Sequence, residues 1–230
     1  MTEYQVPFSM AGLPVADHFV QREREMAQLE KFFGTDGDSD GRRRKVFVVH
    51  GLGGMGKTQL CVEYARQHKE DFTAVFWLDG SSKDALRQSL AAASARATRR
   101  GPSSTALLAP DAHDVDEAIA ALHQWLSSDA NTGWLLILDN IDREWQGASG
   151  RADPQAYDFK EYLPPADHGN VLITTRLGRL QRAKASLRLG EVDNNVGREM
   201  LESRAGRKLP GMYVWGGYSC RDILPARLSG

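Results

Sequence analysis

Two periods of apolar and polar residues take turns along the chain, and the switches between them delimit its elements. Lys45–His50 (KVFVVH) is β-branched and aromatic and reads as a short buried strand. Residues 73–78 (TAVFWL) read as a second strand, 134–138 (WLLIL) as a third, 170–174 (NVLIT) as a fourth and 186–189 (SLRL) as a weak fifth. The third is apolar at every position, as expected of a strand in the middle of a sheet covered on both faces. Residues 58–68, 84–100 and 115–126 read as helices. The last is apolar at 115, 118, 119, 122, 125 and 126, and the middle one stops at Gly101 and Pro102. Within 19–33, apolar residues at 26, 29, 32 and 33 predict an amphipathic helix ahead of the first strand. Residues 1–18, with Pro7, Gly12 and Pro14, read as an irregular leader, and 34–41 (GTDGDSDG) and 101–113 as loops. Strands alternating with helices predict an α/β fold with a parallel sheet and right-handed crossovers.

Composition narrows the classes further. A chain of 230 residues, 41% hydrophobic and 26% charged, fits one α/β domain or one domain with part of a second. Its net charge of −1 supplies no global field for gripping nucleic acid or a membrane. The run from Arg42 to Lys45 reads as a solvated loop edge. Two cysteines, Cys61 and Cys220, exclude a disulfide-rich scaffold. The start, Met1 to Met10, contains Glu3 and lacks a basic segment followed by an apolar one, so no signal peptide is read. The apolar run at 134–138 is far short of a bilayer span. The expectation is a cytoplasmic protein without nucleic-acid or membrane partners. The six histidines (18, 50, 68, 113, 123, 168) sit in no zinc-ligand spacing, and 147–150 (GASG) is no nucleophile elbow. His50 reads as a structural strand-end residue, and Trp77, Trp125, Trp134 and Cys61 as core.

The strongest chemical signal follows the first strand. Gly51, Gly56, Lys57 and Thr58 match G-x-x-x-x-G-K-[ST] in full, between a predicted strand and a predicted helix. Phosphates concentrate negative charge in a small volume. Backbone N–H groups must point at them, and glycines at 51, 53, 54 and 56 clear the approach. The helix starting near Gly56 adds its unpaired N–H groups and positive dipole end. Lys57 supplies a point charge, and the Thr58 hydroxyl is a hard oxygen suited to Mg²⁺.

Two further strand ends belong with this turn. Residues 135–139 (LLILD) place Asp139 at the carboxyl end of the third strand, beside the turn, where it can hold a metal-bound water. Asn140, then Ile141 and Asp142, follow; the Asn140 amide can orient a water but cannot take a proton as a carboxylate would. On the fourth strand, residues 171–176 (VLITTR) bring Thr174, Thr175 and Arg176 to the same edge. Arg176 can fork onto a γ-phosphate oxygen or pair a surface carboxylate, and spacing alone does not choose.

As an ordered set these residues resemble the NB-ARC family of STAND-type P-loop ATPases. Residues 19–23 (FVQRE) look like its leader, with Gln21 where glycine is usual. Residues 51–58 (GLGGMGKT) look like its phosphate turn, 75–79 (VFWLD) its second strand, and 135–139 its metal-binding strand. Residues 169–176 (GNVLITTR) look like its γ-phosphate-sensing strand, and 187–192 with 199–202 resemble the entry to a helical subdomain. The resemblance implies a P-loop NTPase three-layer sandwich around a central, mainly parallel, five-stranded sheet. It implies a leader at 1–44, a nucleotide-binding core at 45–190 and the start of a helical subdomain at 191–230, with 207–230 divergent or truncated. It implies ATP or ADP with Mg²⁺. Gly51, Gly53, Gly54, Met55, Gly56, Lys57, Thr58 and Gln59 would hold the phosphates, and Thr58 and Asp139 the metal. Val20 and Arg22 would sit near the adenine, and Arg176 would sense the γ-phosphate. Asp139, Asn140 and Arg176 occupy the catalytic positions. Members act as nucleotide-dependent switches that self-associate or recruit effectors. Asn140 stands where many members carry a second acid, which leaves slow hydrolysis an open question. The alternatives are a P-loop ATPase or kinase-type enzyme and a non-catalytic interaction fragment.

Overall fold

The structure, a computed structural model, describes residues 4–10, 13, 22–34, 43–98, 115–143, 155–178, 180, 185–192, 197–199 and 202. Phe19, Val20, the greater part of the 34–41 loop, the 101–113 loop and the tail from 203 lie outside the described residues. The chain folds as two compact units, Met1–Gly190 and Glu191–Gly230. In the second, Arg198 Nε bonds Glu202 Oε1 at 2.8 Å, an i to i+4 pair.

The first unit is built on five strands: β1 (Lys45–His50), β2 (Val75–Asp79), β3 (Leu135–Asp139), β4 (Asn170–Thr175) and β5 (Ser186–Arg188). They lie in the order β2-β3-β4-β1-β5, and all four pairings are parallel. Among the described residues four α-helices accompany them: α1 (Glu23–Phe33), α2 (Lys57–His68), α3 (Lys83–Thr98) and α4 (Val115–Leu126). The α/β P-loop NTPase sandwich expected from the sequence is therefore the fold.

The pleat sends alternate residues to opposite faces, and each face has its own core. Phe47, Val49, Val75, Leu135, Ile137 and Leu172 pack with Met26, Leu29 and Phe33 of α1 and Leu60, Cys61 and Tyr64 of α2. Val48, Phe76, Leu78, Leu136, Leu138, Val171 and Ile173 pack with Leu86 and Leu90 of α3 and Leu122 and Leu126 of α4. The continuous apolar run of β3 follows directly: all five of its residues are buried, because helices cover both sides.

Several boundaries differ from expectation for local reasons. α1 begins at Glu23, four residues into the amphipathic segment, with Glu23 and Glu25 favouring the positive end of its dipole. β2 starts at Val75, because Thr73 and Ala74 are engaged by the leader. Val6 forms a parallel bridge to Ala74, its N–H donating to the Thr73 carbonyl at 2.8 Å. Arg96 Nη2 donates to the Pro7 carbonyl at 2.7 Å, and the Tyr4 ring lies 5.7 Å from that of Trp125. Residues 4–7 thus cover the outer edge of β2, which would otherwise present unpaired backbone groups. In the basic run, Arg44 donates through Nη1 to the Pro164 carbonyl at 2.8 Å and Lys45 through Nζ to Gly34 at 3.2 Å.

Candidate functional site

The carboxyl ends of the parallel strands meet at one edge, and the chemistry gathers there. β1 and β4 are neighbours whose onward connections leave in opposite directions, to β2 and to β5. Such a reversal opens a crevice at the strand ends. The loop from Gly51 to Gly56 fills it and runs straight into α2.

Two glycines of this loop are required for different reasons. Gly56 precedes α2 at φ +86°, left-handed backbone that a side chain adopts at a penalty. At Gly51 a Cβ would stand 2.3 Å from the carbonyl oxygen of Leu189, the residue after β5, so the backbone there packs directly against the loop. Lys57 is 9% exposed, and its ammonium turns back along the loop to donate to the carbonyls of Gly51 and Leu52, each at 2.9 Å. Burial draws the Lys57 pKa below its ordinary value, with Arg176 adding to the effect; Asp142 and Asp139 oppose it.

Thr58, in the first turn of α2, donates to Asp139 at the end of β3, with Oγ1 3.0 and 3.2 Å from the two carboxylate oxygens. Thr174 of β4 donates to the same carboxylate at 2.5 Å and accepts the Asn140 N–H at 2.9 Å. Asn140 Nδ2 adds a third donor, 3.2 Å from Asp139 Oδ2. Burial nonetheless raises the Asp139 carboxyl above the ordinary carboxylate range, the donors from Thr174 and Thr58 pulling the other way. The donor set fits a small hard cation. Neighbouring oxygens around octahedral Mg²⁺ at 2.1 Å stand about 3.0 Å apart, and the Thr58 hydroxyl and Asp139 Oδ1 already show that spacing of 3.0 Å.

Of the two roles its spacing left open, Arg176, just past β4, shows the carboxylate pair, and it shows a position beside the phosphate loop. It pairs a carboxylate, with Nε 2.9 Å from Asp142 Oδ2, and it lies at the loop, its guanidinium 3.3 Å from where a Gly53 Cβ would be. Arg22 is buried and donates to the carbonyls of Met55 at 3.0 Å and Gly190 at 3.1 Å, so it braces the loop from outside. Met55 packs against the core on the α1 and α2 side; Gln59 follows Thr58 on α2, half-buried. Val20 lies outside the described residues. His50 is buried at the end of β1, and its Nδ1 has no hydrogen-bond partner among the described residues. Burial and the nearby Arg188 and Lys57 charges lower its pKa, keeping it neutral at pH 7.

Sequence reasoning placed Thr174 at this edge and named Asp142 after Asn140, but gave neither a role. Both owe their positions to the register of β3 against β4, in which Leu138 faces Ile173. The T-T-R ending of β4 was the one available signal.

No curated protein matches the chain. Among solved structures it is similar to a Cdc6p from Pyrobaculum aerophilum, at 16% identity and a TM-score of 0.54, over 86% of this chain and 52% of that one. An Aeropyrum pernix ORC2 protein, solved as ADPNP-ADP complexes, matches at 15% identity and a TM-score of 0.49, over 86% and 55%. The chain thus spans about half the length of these proteins. The Cdc6p likeness bears on fold alone. A family model described as AAA ATPase domain matches residues 18–173, well over half of the chain. That match covers the phosphate loop, the β3 carboxylate and β4 as far as Ile173. By it, the chain belongs to the AAA ATPase domain family.

Proposed function

We propose that this domain binds ADP and ATP with Mg²⁺ and acts as a nucleotide-dependent switch of the NB-ARC kind, with at most slow hydrolysis. The observation that carries the reading is the contact between Thr58 and Asp139 beside a glycine loop whose lysine is already turned onto it. One loop thus supplies backbone N–H groups and an ammonium for phosphates, and one pair of hard oxygens sits alongside for a cation. Lys57 would leave the Gly51 and Leu52 carbonyls for the phosphates, while Thr58 and Asp139 would hold the metal, which spreads the charge of the terminal phosphates. Arg176, lying over Gly53, would meet a γ-phosphate and be left without one in ADP. Asn140 supports slow turnover, since its amide is spent on Asp139 and cannot take a proton from water.

The leader, phosphate loop, metal strand and T-T-R strand, in that sequence order, support the switch reading over a small-molecule kinase. A charge gained or lost at Arg176 is the kind of local event that reorients a neighbouring unit. Self-association or effector recruitment would follow from it. The net charge of −1 leaves nucleic acid out of the proposal. No described helix is long and apolar enough to cross a membrane; a cytoplasmic location is part of the proposal.

The test is nucleotide binding by calorimetry. The protein should bind ADP and ATP, and Lys57→Ala should weaken both by about 2–5 kcal/mol, the loss expected when one partner of a desolvated charge pair is removed. Equal affinity in the two proteins would defeat the reading.

A further inference from the structure

Asn140 denies the site a carboxylate at the position after Asp139, yet the structure brings another acid to the loop. Asn140 sits at φ +64°, left-handed backbone that asparagine tolerates better than most residues. The bend is fixed on both sides. The Ile141 N–H donates to the Thr174 carbonyl at 3.0 Å, and the Asp142 N–H to the Asn140 carbonyl at 2.8 Å. Ile141 turns into the core at 3% exposed, and Asp142 comes out at the end of β4. There its carboxylate grips Arg176 twice. Oδ1 accepts the Arg176 backbone N–H at 2.7 Å, and Oδ2 lies 2.9 Å from Nε. Asp142 is three-quarters buried and Arg176 largely exposed, so the acid is the fixed partner. A guanidinium gripped through Nε still has its two terminal nitrogens to offer, and here it lies against Gly53 of the phosphate loop.

We propose that Asp142 is the positioning residue for Arg176: it holds the guanidinium across the phosphate loop, so that the site distinguishes a nucleoside triphosphate from a diphosphate. The inference rests on the nucleotide-binding reading above. A free arginine must give up several rotors to fork onto a phosphate; one already held at its backbone and at Nε gives up fewer. Asp142 also offsets the adjacent positive charges of Arg176 and Lys57, keeping the two cations together at one loop.

The experiment measures the affinities of the full chain for ADP and for a non-hydrolysable ATP analogue, both with Mg²⁺. It compares the natural protein with Asp142→Asn, Asp142→Ala, Arg176→Ala and the Asp142→Ala/Arg176→Ala double variant. The natural protein should prefer the triphosphate. Asp142→Ala should lower the triphosphate-to-diphosphate ratio about tenfold, the equivalent of one charge-assisted hydrogen bond. Arg176→Ala should lower it at least as far, and the double variant no further than Arg176→Ala, because both changes remove one unit. The near-isosteric Asp142→Asn should lower the ratio with its melting temperature kept, which separates positioning from misfolding. A merely structural role would weaken both ligands equally and leave the ratio alone. An unchanged or raised ratio in folded Asp142→Asn, or additive losses in the double variant, would overturn the inference. A natural protein that binds neither nucleotide would overturn the functional reading with it. One that binds both, with the ratio unmoved by Arg176→Ala, would spare that reading and defeat this inference alone.

Discussion

Asp139 is 3% exposed, and burial lifts its carboxyl pKa in spite of three donors. The folded state therefore takes up a proton at this group more readily than the unfolded chain does. By linkage, its contribution to stability is most favourable at low pH and declines as pH rises from about 3.9, the unfolded value, through the raised folded value. At pH 7 without Mg²⁺ the charge opposes folding, and a bound cation would relieve it. Asp139→Asn should accordingly melt above the natural protein at pH 7 in a chelator, with this part of the pH dependence gone. It should also lose the strengthening of nucleotide binding by Mg²⁺, and thermal melts with and without the metal read both effects. At this scale the sequence was most legible where chemistry is local. The glycine loop, Lys57 and Thr58 lie within eight consecutive residues, and Asp139 ends an apolar run. The roles of Asp142 and Thr174 were opaque, since these residues meet their partners only through strand register and a left-handed bend at Asn140.

Helix α1 is held by a stripe of Met26, Leu29 and Phe33, all buried against β1 and α2. Its polar face offers nothing comparable, so docking of this stripe fixes the helix whose preceding residue, Arg22, braces the phosphate loop. Leu29 is fully buried, and Leu29→Ala should cost about 2–5 kcal/mol, measured by urea denaturation. The four α-helices and five strands of the described residues were legible from apolar patterning and from β-branched and aromatic runs, the fifth strand only weakly. The role of the leader was not. Residues 4–7 carry no strand pattern, and their single bridge to Ala74 is decided by an open edge on β2.

Across the whole molecule, the strand order is what turns separate motifs into one site. Periodicity predicts five parallel strands but not their order, since right-handed crossovers allow several. The observed order seats β1 between β4 and β5, with β3 one strand further on, and so draws the loop, Thr174, Arg176 and Asp139 together. The proposed nucleotide, seated there, would meet α2, β3 and β4 at once and should stabilise the first unit as a whole. At a nucleotide concentration 100 times its Kd the gain should be about 2.7 kcal/mol, seen as a rise in melting temperature. Lys57→Ala should show no such rise, and a chelator should reduce it.

The glycine that opens the phosphate motif has its back to a wall. Even one added methyl at Gly51 would strike the Leu189 carbonyl, whereas at Gly54 and Gly56 it would project into open space. A bulkier residue at Gly51 should therefore push on the backbone just after β5 before it troubles any phosphate. Inactive variants at Gly51 and at Lys57 would look alike in a cell while reporting different injuries, one to masonry and one to charge. Lys57, whose ammonium bonds loop carbonyls rather than supporting a strand, is the more direct handle on the proposed nucleotide.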